Sequence, residues 1–332
     1  MGALTLALPL RVTVSRLRRT RLSARPMSDI QSASPAPLHG KTVVVTGASD
    51  GIGRAAVRQY AAAGATVVMV GRNEAKTRAA AQAIMGDSGR RDITWEIADL
   101  SRQEEVRDLA TRLLASHPVI DVLANNAGAM FLERQVTSDG FEQTFALNHL
   151  SYFTLTLHLL PALAAAATLR GPARIVNVSS RAHENARPDL DDLQLTGGFG
   201  GWRAYANSKL FNIWFTNALA RRLDPARIVV QAMHPGVVST RFATNNGRVG
   251  RLLRGLMDVV SVTPDQGADT LVWLSHAPES AAHPGAYWVK RARKTPSRLA
   301  RNGEMAEALW TQSAELAHVP ADALVATALG RA

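Results

Sequence analysis

The stretch Thr42-Val-Val-Val-Thr46-Gly47-Ala-Ser-Asp-Gly51-Ile-Gly53 decides the fold class of this chain. Its first five residues are a short β-branched run of the kind that forms a buried parallel strand, and a helical apolar pattern follows the glycines. A strand, a glycine turn and a helix in this order aim free backbone N–H groups and the positive end of a helix dipole at a phosphate. The spacing predicts a dinucleotide-binding loop. The alternative is a tight strand-to-helix turn that binds nothing.

Strand and helix patterns alternate with short links along the rest of the chain. Further strands are predicted at residues 66–70, 93–97, 119–124, 174–180, 226–233 and 285–289, and further helices at 74–85, 102–115, 138–160, 203–222 and 303–316. Such alternation predicts one doubly wound Rossmann-type α/β domain, with a seven-stranded, mostly parallel sheet and helices on both faces. We expect this domain at residues 40–320, an N-terminal segment at 1–39 that is disordered, mis-started or a targeting sequence, and a C-terminal tail at 321–332.

Composition limits the chemistry. The 332 residues are 46% hydrophobic and 20% charged, which is typical of a soluble globular protein with an ample core. The chain has no cysteine, so disulfides, thiolate nucleophiles and cysteine-ligated metals are excluded. Its nine histidines show no metal-binding spacing, and we therefore predict no metal.

The positive charge is concentrated at the N-terminus. Six arginines precede Met27 without an acid among them, and they account for more than half of the formal net charge of +11: Arg11, Arg16, Arg18, Arg19, Arg21 and Arg25. Residues 1–26 are either translated upstream sequence, with Met27 as the real start, or an organelle-targeting presequence. A nucleic-acid partner would depend mainly on this segment. We expect a cytoplasmic protein with no nucleic-acid partner and no stable membrane insertion.

Two further strand ends carry candidate nucleotide contacts. Arg72 follows the second strand, where an acid would accept hydrogen bonds from an NAD ribose, whereas a guanidinium suits the 2′-phosphate of NADP(H). The alternative for Arg72 is a solvated side chain, with NAD(H) as the cofactor. Asp99 follows the third strand and either reaches the adenine or bonds its own turn, and Ser101 is a candidate N-cap for the next helix.

The pair Tyr205 and Lys209 is the candidate chemical centre. Four residues make about one helical turn, so the phenol and the ammonium share one face. A cation held nearby favours the phenolate and lowers the pKa of the tyrosine, which suits proton transfer. The alternative is an ordinary amphipathic helix. Asn148 lies among apolar helical residues and is either a structural hydrogen-bonding group or part of a polar relay.

These motifs together resemble the short-chain dehydrogenase/reductase family. The matching features are Thr46 to Gly53, Asn125-Asn-Ala-Gly128, Asn148, Ser180, Tyr205-x-x-x-Lys209 and Pro235-Gly236, in that order. The long interval between Ser180 and Tyr205, the Ser-Ser-x-Ala-His sequence and the end near Ala308-Leu-Trp310 are similar to the retinol-dehydrogenase-like branch. Asp50 and Arg181 occupy positions that this branch fills variably.

The resemblance implies an NADP(H)-dependent oxidoreductase that interconverts a lipophilic alcohol and its ketone or aldehyde. Tyr205 would be the acid and base, and Ser180, rather than Ser179, would hydrogen-bond the substrate oxygen. Lys209 would lower the pKa of the tyrosine and hold the nicotinamide ribose, and Asn148 would anchor a water. The alternative is a non-catalytic NADP(H)-binding regulatory protein on the same fold.

The predicted contacts follow from the motifs and the resemblance. Cofactor contacts are expected at Gly47, Ser49, Asp50, Gly51, Ile52, Gly53, Arg72, Asp99, Leu100, Asn126, Ala127, Gly128, Tyr205, Lys209, Pro235, Gly236, Val238 and Thr240. Substrate contacts are expected at Ser180, His183, Trp202 and Phe242, with Met130 and Phe131 as further apolar walls. Residues 241–263 form either a lid or ordinary core. Family members often associate through the helices predicted at 138–160 and 203–222, so we expect a homodimer or homotetramer.

Overall fold

The structure is a computed structural model that describes residues 2, 36–236 and 262–331. The arginine-rich segment before Met27 lies outside the described residues. Three predicted contacts, Val238, Thr240 and Phe242, lie outside them as well, with almost all of the predicted lid at 241–263.

Eight strands form one sheet. They are β1 (Thr42–Thr46), β2 (Thr66–Gly71), β3 (Ile93–Ile97), β4 (Val122–Asn125), β5 (Ala173–Val178), β6 (Ile228–His234), β7 (Tyr287–Val289) and β8 (Ala292–Lys294). Their order across the sheet is β3-β2-β1-β4-β5-β6-β7-β8, and all neighbours pair in parallel except β7 and β8. The chain therefore has the predicted Rossmann-type fold. The order reverses between β1 and β4, which is where ligands bind in such sheets.

The eighth strand corrects the predicted count of seven. All three residues of β8 are exposed, so the strand lacks the alternation of buried and exposed positions by which a sequence pattern reveals a strand. It follows β7 through Lys290 and Arg291, both with positive φ (50° and 58°). Asn-Gly is the usual signal for a two-residue turn of this kind, and it is missing here.

Helices cover both faces of the sheet. They are α1 (Gly51–Ala62), α2 (Glu74–Ser88), α3 (Gln103–Ser116), α4 (Gln143–Phe145), α5 (Ser151–Arg170), α6 (Gly201–Arg222), α7 (Pro264–Leu274), α8 (Pro278–Ala281), α9 (Gly303–Leu316) and α10 (Ala321–Ala328), with a π-helical segment at Ala146–Leu150 and 3₁₀ turns at Arg181–Asn185 and Leu299–Arg301. Helices α1, α2 and α7 enclose one apolar core, and α3, α5, α6, α9 and α10 enclose the other.

The helix predicted at 138–160 begins later and continues further than expected. Glu142 caps it, since its carboxylate accepts from the backbone N–H groups of Thr144 (2.8 Å) and Phe145 (2.7 Å). It runs to Arg170 through Pro161, whose side chain is exposed and whose destabilising effect is outweighed by the burial of most other residues. In the described part of the chain, this is also the one helix long and apolar enough to cross a membrane. Because 67% of its apolar window is buried, it equally matches a core helix.

Two local predictions were wrong. Ser101 does not cap α3: its hydroxyl and amide both donate to Asp99, and Asp139 from a distant loop accepts from the N–H of Gln103 at 2.6 Å instead. A long-range cap of this kind has no local sequence signal. The predicted tail at 321–332 contains helix α10, which packs against α5 through three buried residues, Ala321, Val325 and Ala328.

Candidate active site

The loops that follow β1 and β4 are locked together at the point where the strand order reverses. The backbone N–H groups of Asn126 and Ala127 both donate to the hydroxyl of Thr46, at 2.9 and 3.0 Å. The Asn126 side-chain amide donates to the Thr46 carbonyl at 2.9 Å. Asn126 is predicted to contact the cofactor directly. In the structure it holds the glycine loop through its bonds to Thr46, the residue directly before Gly47.

The glycine loop needs glycine for close packing. Gly47 has a φ of +65°, and a Cβ added there would lie 2.8 Å from the Cα of Ala127. A Cβ at Gly53 would lie only 2.2 Å from the carbonyl oxygen of Gly47. The loop therefore folds back on the first turn of α1, and the N-terminus of that helix opens at the carboxyl edge of the sheet. Such a cradle suits a pyrophosphate.

Charged side chains surround this cradle. Asp50 caps α1 through the N–H of Gly51 (2.8 Å), and its second oxygen pairs with Lys76 at 2.7 Å. Arg72 follows β2 at the same edge, with an exposed side chain. Asp99 accepts hydrogen bonds from the backbone N–H and the hydroxyl of Ser101 in its own turn, which is one of the two roles predicted for it. Two cations beside the glycine loop are suited to an additional phosphate group.

Tyr205 and Lys209 lie on the buried face of α6, with 8% and 3% of their surfaces exposed. The Lys209 Nζ is 5.6 Å from the centroid of the Tyr205 ring and donates to the carbonyl oxygen of Val178 at 3.1 Å. Ser180, which follows β5, lies close enough to the Tyr205 hydroxyl for its side chain to lower the pKa of that tyrosine. The three predicted groups therefore meet at one edge of the sheet.

The electrostatics of this pair differ from the expectation. Burial raises the pKa of Tyr205 to about 12, and the hydrogen bond from Ser180 only partly opposes it. Burial lowers the pKa of Lys209 to about 7. Because desolvation disfavours the charged form of each group, it outweighs the predicted stabilisation of the phenolate by the ammonium. At neutral pH Tyr205 carries its proton, and Lys209 can exchange one.

Asn148 lies in the π-helical segment, and both polar atoms of its side chain are hydrogen-bonded to protein. Its Oδ1 accepts from the N–H of Ala129 (2.9 Å), and its Nδ2 donates to the Ala129 carbonyl (2.9 Å) and to Ser208 Oγ (3.0 Å). A Cβ at Gly128 would lie 3.2 Å from both Asn148 Oδ1 and Lys209 Nζ. Asn148 thus connects the loop after β4 to the helix turn that carries the lysine. The π segment, which inserts an extra residue into the helix, occurs often at functional sites.

Sequence reasoning missed one residue in the site, Tyr152, and it gave no role to Ser179. The Tyr152 hydroxyl donates to the Ala127 carbonyl at 2.8 Å, and its ring lies 5.8 Å from Lys209 Nζ. Ser179 donates from its hydroxyl to the Lys209 carbonyl at 2.6 Å. Tyr152 could have been found from its position four residues after Asn148, one helical turn on.

The predicted substrate walls are only partly brought together. Trp202 is 52% exposed, with its ring 6.1 Å from that of Tyr205, and Phe131 is buried against the start of α6. Met130 is also buried. His183 is placed differently from the prediction: it is 1% exposed, and both ring nitrogens bond to main-chain groups.

Pro235 and Gly236 follow β6 at the same sheet edge and are the last residues of the described range 36–236, and Gly236 has a φ of +93°. Across residues 36–236 and 262–331, no group of three or more metal-ligating histidine, aspartate or glutamate side chains occurs. The absence of a metal from the protein therefore stays a prediction.

The fold and the site define a nicotinamide-dinucleotide-dependent oxidoreductase. The chain belongs to the short-chain dehydrogenase family, because residues 41–248 match the model of that family. It falls within the retinol-dehydrogenase-like branch. It is 35% identical over 289 residues to human (Homo sapiens) retinol dehydrogenase 13, an alignment that covers 85% of this chain and 86% of that protein.

Solved structures of similar proteins contain nicotinamide dinucleotides. RhlG of Pseudomonas aeruginosa, in an active-site complex with NADP, is 26% identical with a TM-score of 0.60, and the match covers 77% of this chain and 96% of that one. The 3-ketoacyl-(acyl-carrier-protein) reductase of Brucella melitensis, complexed with NADH, is 25% identical with a TM-score of 0.59, and the match covers 75% and 96%. The glycine cradle of this chain fits a cofactor of this class.

Proposed function

We propose that the protein is an NADP(H)-dependent oxidoreductase that interconverts a lipophilic alcohol and its ketone or aldehyde, with Tyr205 as the acid and base. The observation that carries this proposal is that Tyr205, Ser180 and Lys209 meet at the sheet edge where the glycine loop opens, with Lys209 Nζ 5.6 Å from the centroid of the Tyr205 ring. Hydride chemistry needs a proton donor and an oxygen-binding donor at one point, and these residues supply both.

The cofactor supplies or accepts the hydride when bound. In carbonyl reduction, the Tyr205 hydroxyl gives its proton to the substrate oxygen while Ser180 donates a hydrogen bond to the same oxygen. Lys209, close beneath the ring, stabilises the tyrosinate that forms and returns a proton to it. Donors already in place for the developing charge reduce the reorganisation that the reaction requires.

The direction of the reaction follows from the same groups. Tyr205, with a pKa raised to about 12, is protonated at neutral pH and ready to act as an acid. Alcohol oxidation needs the tyrosinate, which is scarce at that pH. We therefore infer that reduction of a carbonyl is the faster direction at neutral pH, and that oxidation becomes faster as the pH rises.

Two observations support the choice of cofactor and substrate. Arg72 and Lys76 lie beside the glycine loop, where guanidinium and ammonium groups suit the 2′-phosphate of NADP(H). Phe131 and the exposed Trp202 give the site an apolar entrance near Tyr205. A lipophilic carbonyl compound fits this entrance better than a small charged one.

A panel of lipophilic ketones, aldehydes and alcohols, assayed with both cofactors, tests the proposal. Tyr205→Phe keeps the ring and removes the proton, so we expect it to bind NADPH with unchanged affinity and to lose about 10²–10⁴-fold in kcat. A Tyr205→Phe variant with a near-normal rate would remove Tyr205 from the mechanism. The alternative, a non-catalytic NADP(H)-binding regulatory protein, predicts NADPH binding without turnover on any member of the panel.

The proposal extends to the cellular location and the oligomeric state of the protein. We propose a cytoplasmic protein that acts on a small lipophilic molecule and binds no nucleic acid, and that forms a homodimer or homotetramer, which light scattering would determine. N-terminal sequencing of the native protein would decide whether Met27 is the real start. Loss of DNA affinity on deletion of residues 1–26 would confine any such affinity to that segment.

A further inference from the structure

His183 contacts Ser180, the serine whose side chain lowers the pKa of Tyr205. Its ring is 1% exposed, so its polar atoms need partners within the protein. Its Nδ1 lies 2.7 Å from the carbonyl oxygen of Ser180, and its Nε2 lies 3.2 Å from the backbone nitrogen of Ser297. The edge of the Tyr287 ring packs against it, with 5.1 Å between the ring centroids.

The two partners determine which nitrogen carries the proton. The Ser180 carbonyl can only accept, so Nδ1 must carry a hydrogen and donate it. The Ser297 N–H can only donate, so Nε2 must be the bare nitrogen that accepts. Both bonds exist together in one form alone, the neutral Nδ1–H tautomer. A doubly protonated ring would place a donor against the Ser297 N–H.

His183 restrains the turn from which Ser180 projects. The Ser180 carbonyl accepts from the His183 ring and also from the His183 backbone N–H (3.2 Å), while Ser180 Oγ accepts from the N–H of Ala182 (3.2 Å). The backbone and the side chain of Ser180 are thus both held. Through Ser297, the ring also joins this turn to the segment after β8.

We propose that His183, held as the Nδ1–H tautomer, is a positioning residue that fixes Ser180 against Tyr205 and connects it to Ser297. The inference rests on the proposed function, because fixing Ser180 matters for catalysis only if Ser180 binds the reacting oxygen. A misplacement of about 1 Å in such a group can reduce a rate by about 10²-fold. His183 itself does not touch the substrate, and this role replaces the substrate contact predicted for it from the sequence.

The charged and titratable neighbours of His183 come from three elements. Arg181 and Glu184 belong to its own 3₁₀ turn, His234 ends β6, and Tyr287 begins β7. Burial is the main influence, and it lowers the pKa of His183 below its ordinary value. The neutral tautomer therefore persists through neutral pH, and acid breaks the link to Ser297.

Two substitutions separate the two hydrogen bonds. In His183→Asn, the side-chain amide can occupy the Nδ1 position and donate to Ser180, while the link to Ser297 is lost. In His183→Gln, the side-chain oxygen can accept from Ser297 while the donor to Ser180 is lost. His158→Gln is the matched control, because His158 bonds the carbonyl of Thr154 through Nδ1 at 2.8 Å in the same local manner, but on α5.

We expect His183→Gln to lose about 10–100-fold in kcat with an unchanged KM for NADPH, and His183→Asn to keep kcat within about threefold of the unmodified protein. His158→Gln should keep normal kinetics. Equal kinetics in both His183 variants, or losses that only follow the folded fraction measured by circular dichroism, would reduce His183 to a packing residue.

A second readout does not depend on turnover. Nitrogen-15 NMR of the imidazole distinguishes the two neutral tautomers, and we expect a protonated Nδ1 and a bare Nε2. An Nε2–H tautomer would overturn the inference even in an active enzyme. If no carbonyl compound is turned over at all, the proposed function fails instead, and the NMR result still reports on the His183 linkage.

Discussion

Lys209 donates from its Nζ to the carbonyl oxygen of Val178 at 3.1 Å, which ties helix α6 to the end of strand β5. This bond keeps the amine under the Tyr205 ring, although burial in such a place disfavours the ammonium. Burial of the Lys209 amine therefore lowers the stability of the folded protein. Lower stability of this kind is expected where a functional group needs a shifted pKa.

Replacing Lys209 by methionine should raise stability and abolish most activity. The pKa of Lys209 falls from 10.5 in its ordinary state to about 7 in the folded protein, so between these values the unfolded chain binds more protons. The unfolding free energy of the unmodified protein therefore rises with pH across that window. Below the folded-state pKa of Lys209, burial of the charged amine destabilises the fold by its full amount, at most about 4 to 5 kcal/mol. Lys209→Met should be more stable near neutral pH and lack this rise.

Denaturant unfolding at about pH 7 and about pH 9.5, together with kcat, checks this outcome. Parallel pH profiles of stability for the two proteins would contradict the assignment of a depressed pKa to Lys209.

An added methyl group in the glycine loop should act through packing. Gly53→Ala places a Cβ 2.2 Å from the Gly47 carbonyl, so the loop must shift and NADPH affinity should fall by at least about tenfold. Gly86→Ala is the control: it lies within α2 with no atom within 4 Å of the added Cβ, and should stabilise the protein by about 0.5–1 kcal/mol. Fluorescence titration of NADPH and thermal unfolding measure both effects. Undiminished NADPH affinity in Gly53→Ala would show that the loop does not cradle the cofactor.

Removing the guanidinium after β2 should change cofactor preference. Arg72→Ser should raise the KM for NADPH by about 10–100-fold, the usual value of a charge-assisted contact, and leave the KM for NADH nearly unchanged. Arg78→Ser is the control, because Arg78 is an exposed arginine of α2 beyond the first helical turn. Equal effects on both cofactors, or equal effects of both variants, would argue for a solvated Arg72.

The exposed tryptophan at the entrance should contribute to substrate binding. Trp202→Ala removes an apolar surface near Tyr205, so KM for lipophilic carbonyl compounds should rise by about 5–30-fold, with a smaller change in kcat. Leu169→Ala removes an even more exposed side chain (68%) at the far end of α5 and should change neither constant. Unfolding of both variants should match that of the unmodified protein. A KM unchanged by Trp202→Ala would move the substrate entrance elsewhere.

Local sequence patterns predicted the helices and strands well where the apolar face of one helix or the composition of one strand is enough to define the element. The helix at 303–316 has the predicted bounds, and the central strands differ from prediction by a few residues. The misses share a cause. Ser101 lost its role as a cap to Asp139, the tail formed a helix because α5 offered it an apolar surface, and β8 is determined by pairing with β7.

The sequence by itself determined the fold class and the position of the glycine loop, because helical spacing, strand composition and glycine turns are local properties of the chain. Helical spacing also paired Tyr205 with Lys209, and the family resemblance added Ser180 to them as a predicted site residue. Only the tertiary structure decided the pKa values and the partners. Desolvation depends on what surrounds a group, so the raised pKa of Tyr205 and the lowered pKa of Lys209 follow from burial between α6, β5 and the π segment. The role of His183 likewise depends on Ser297, more than a hundred residues away, which no local pattern brings to its ring.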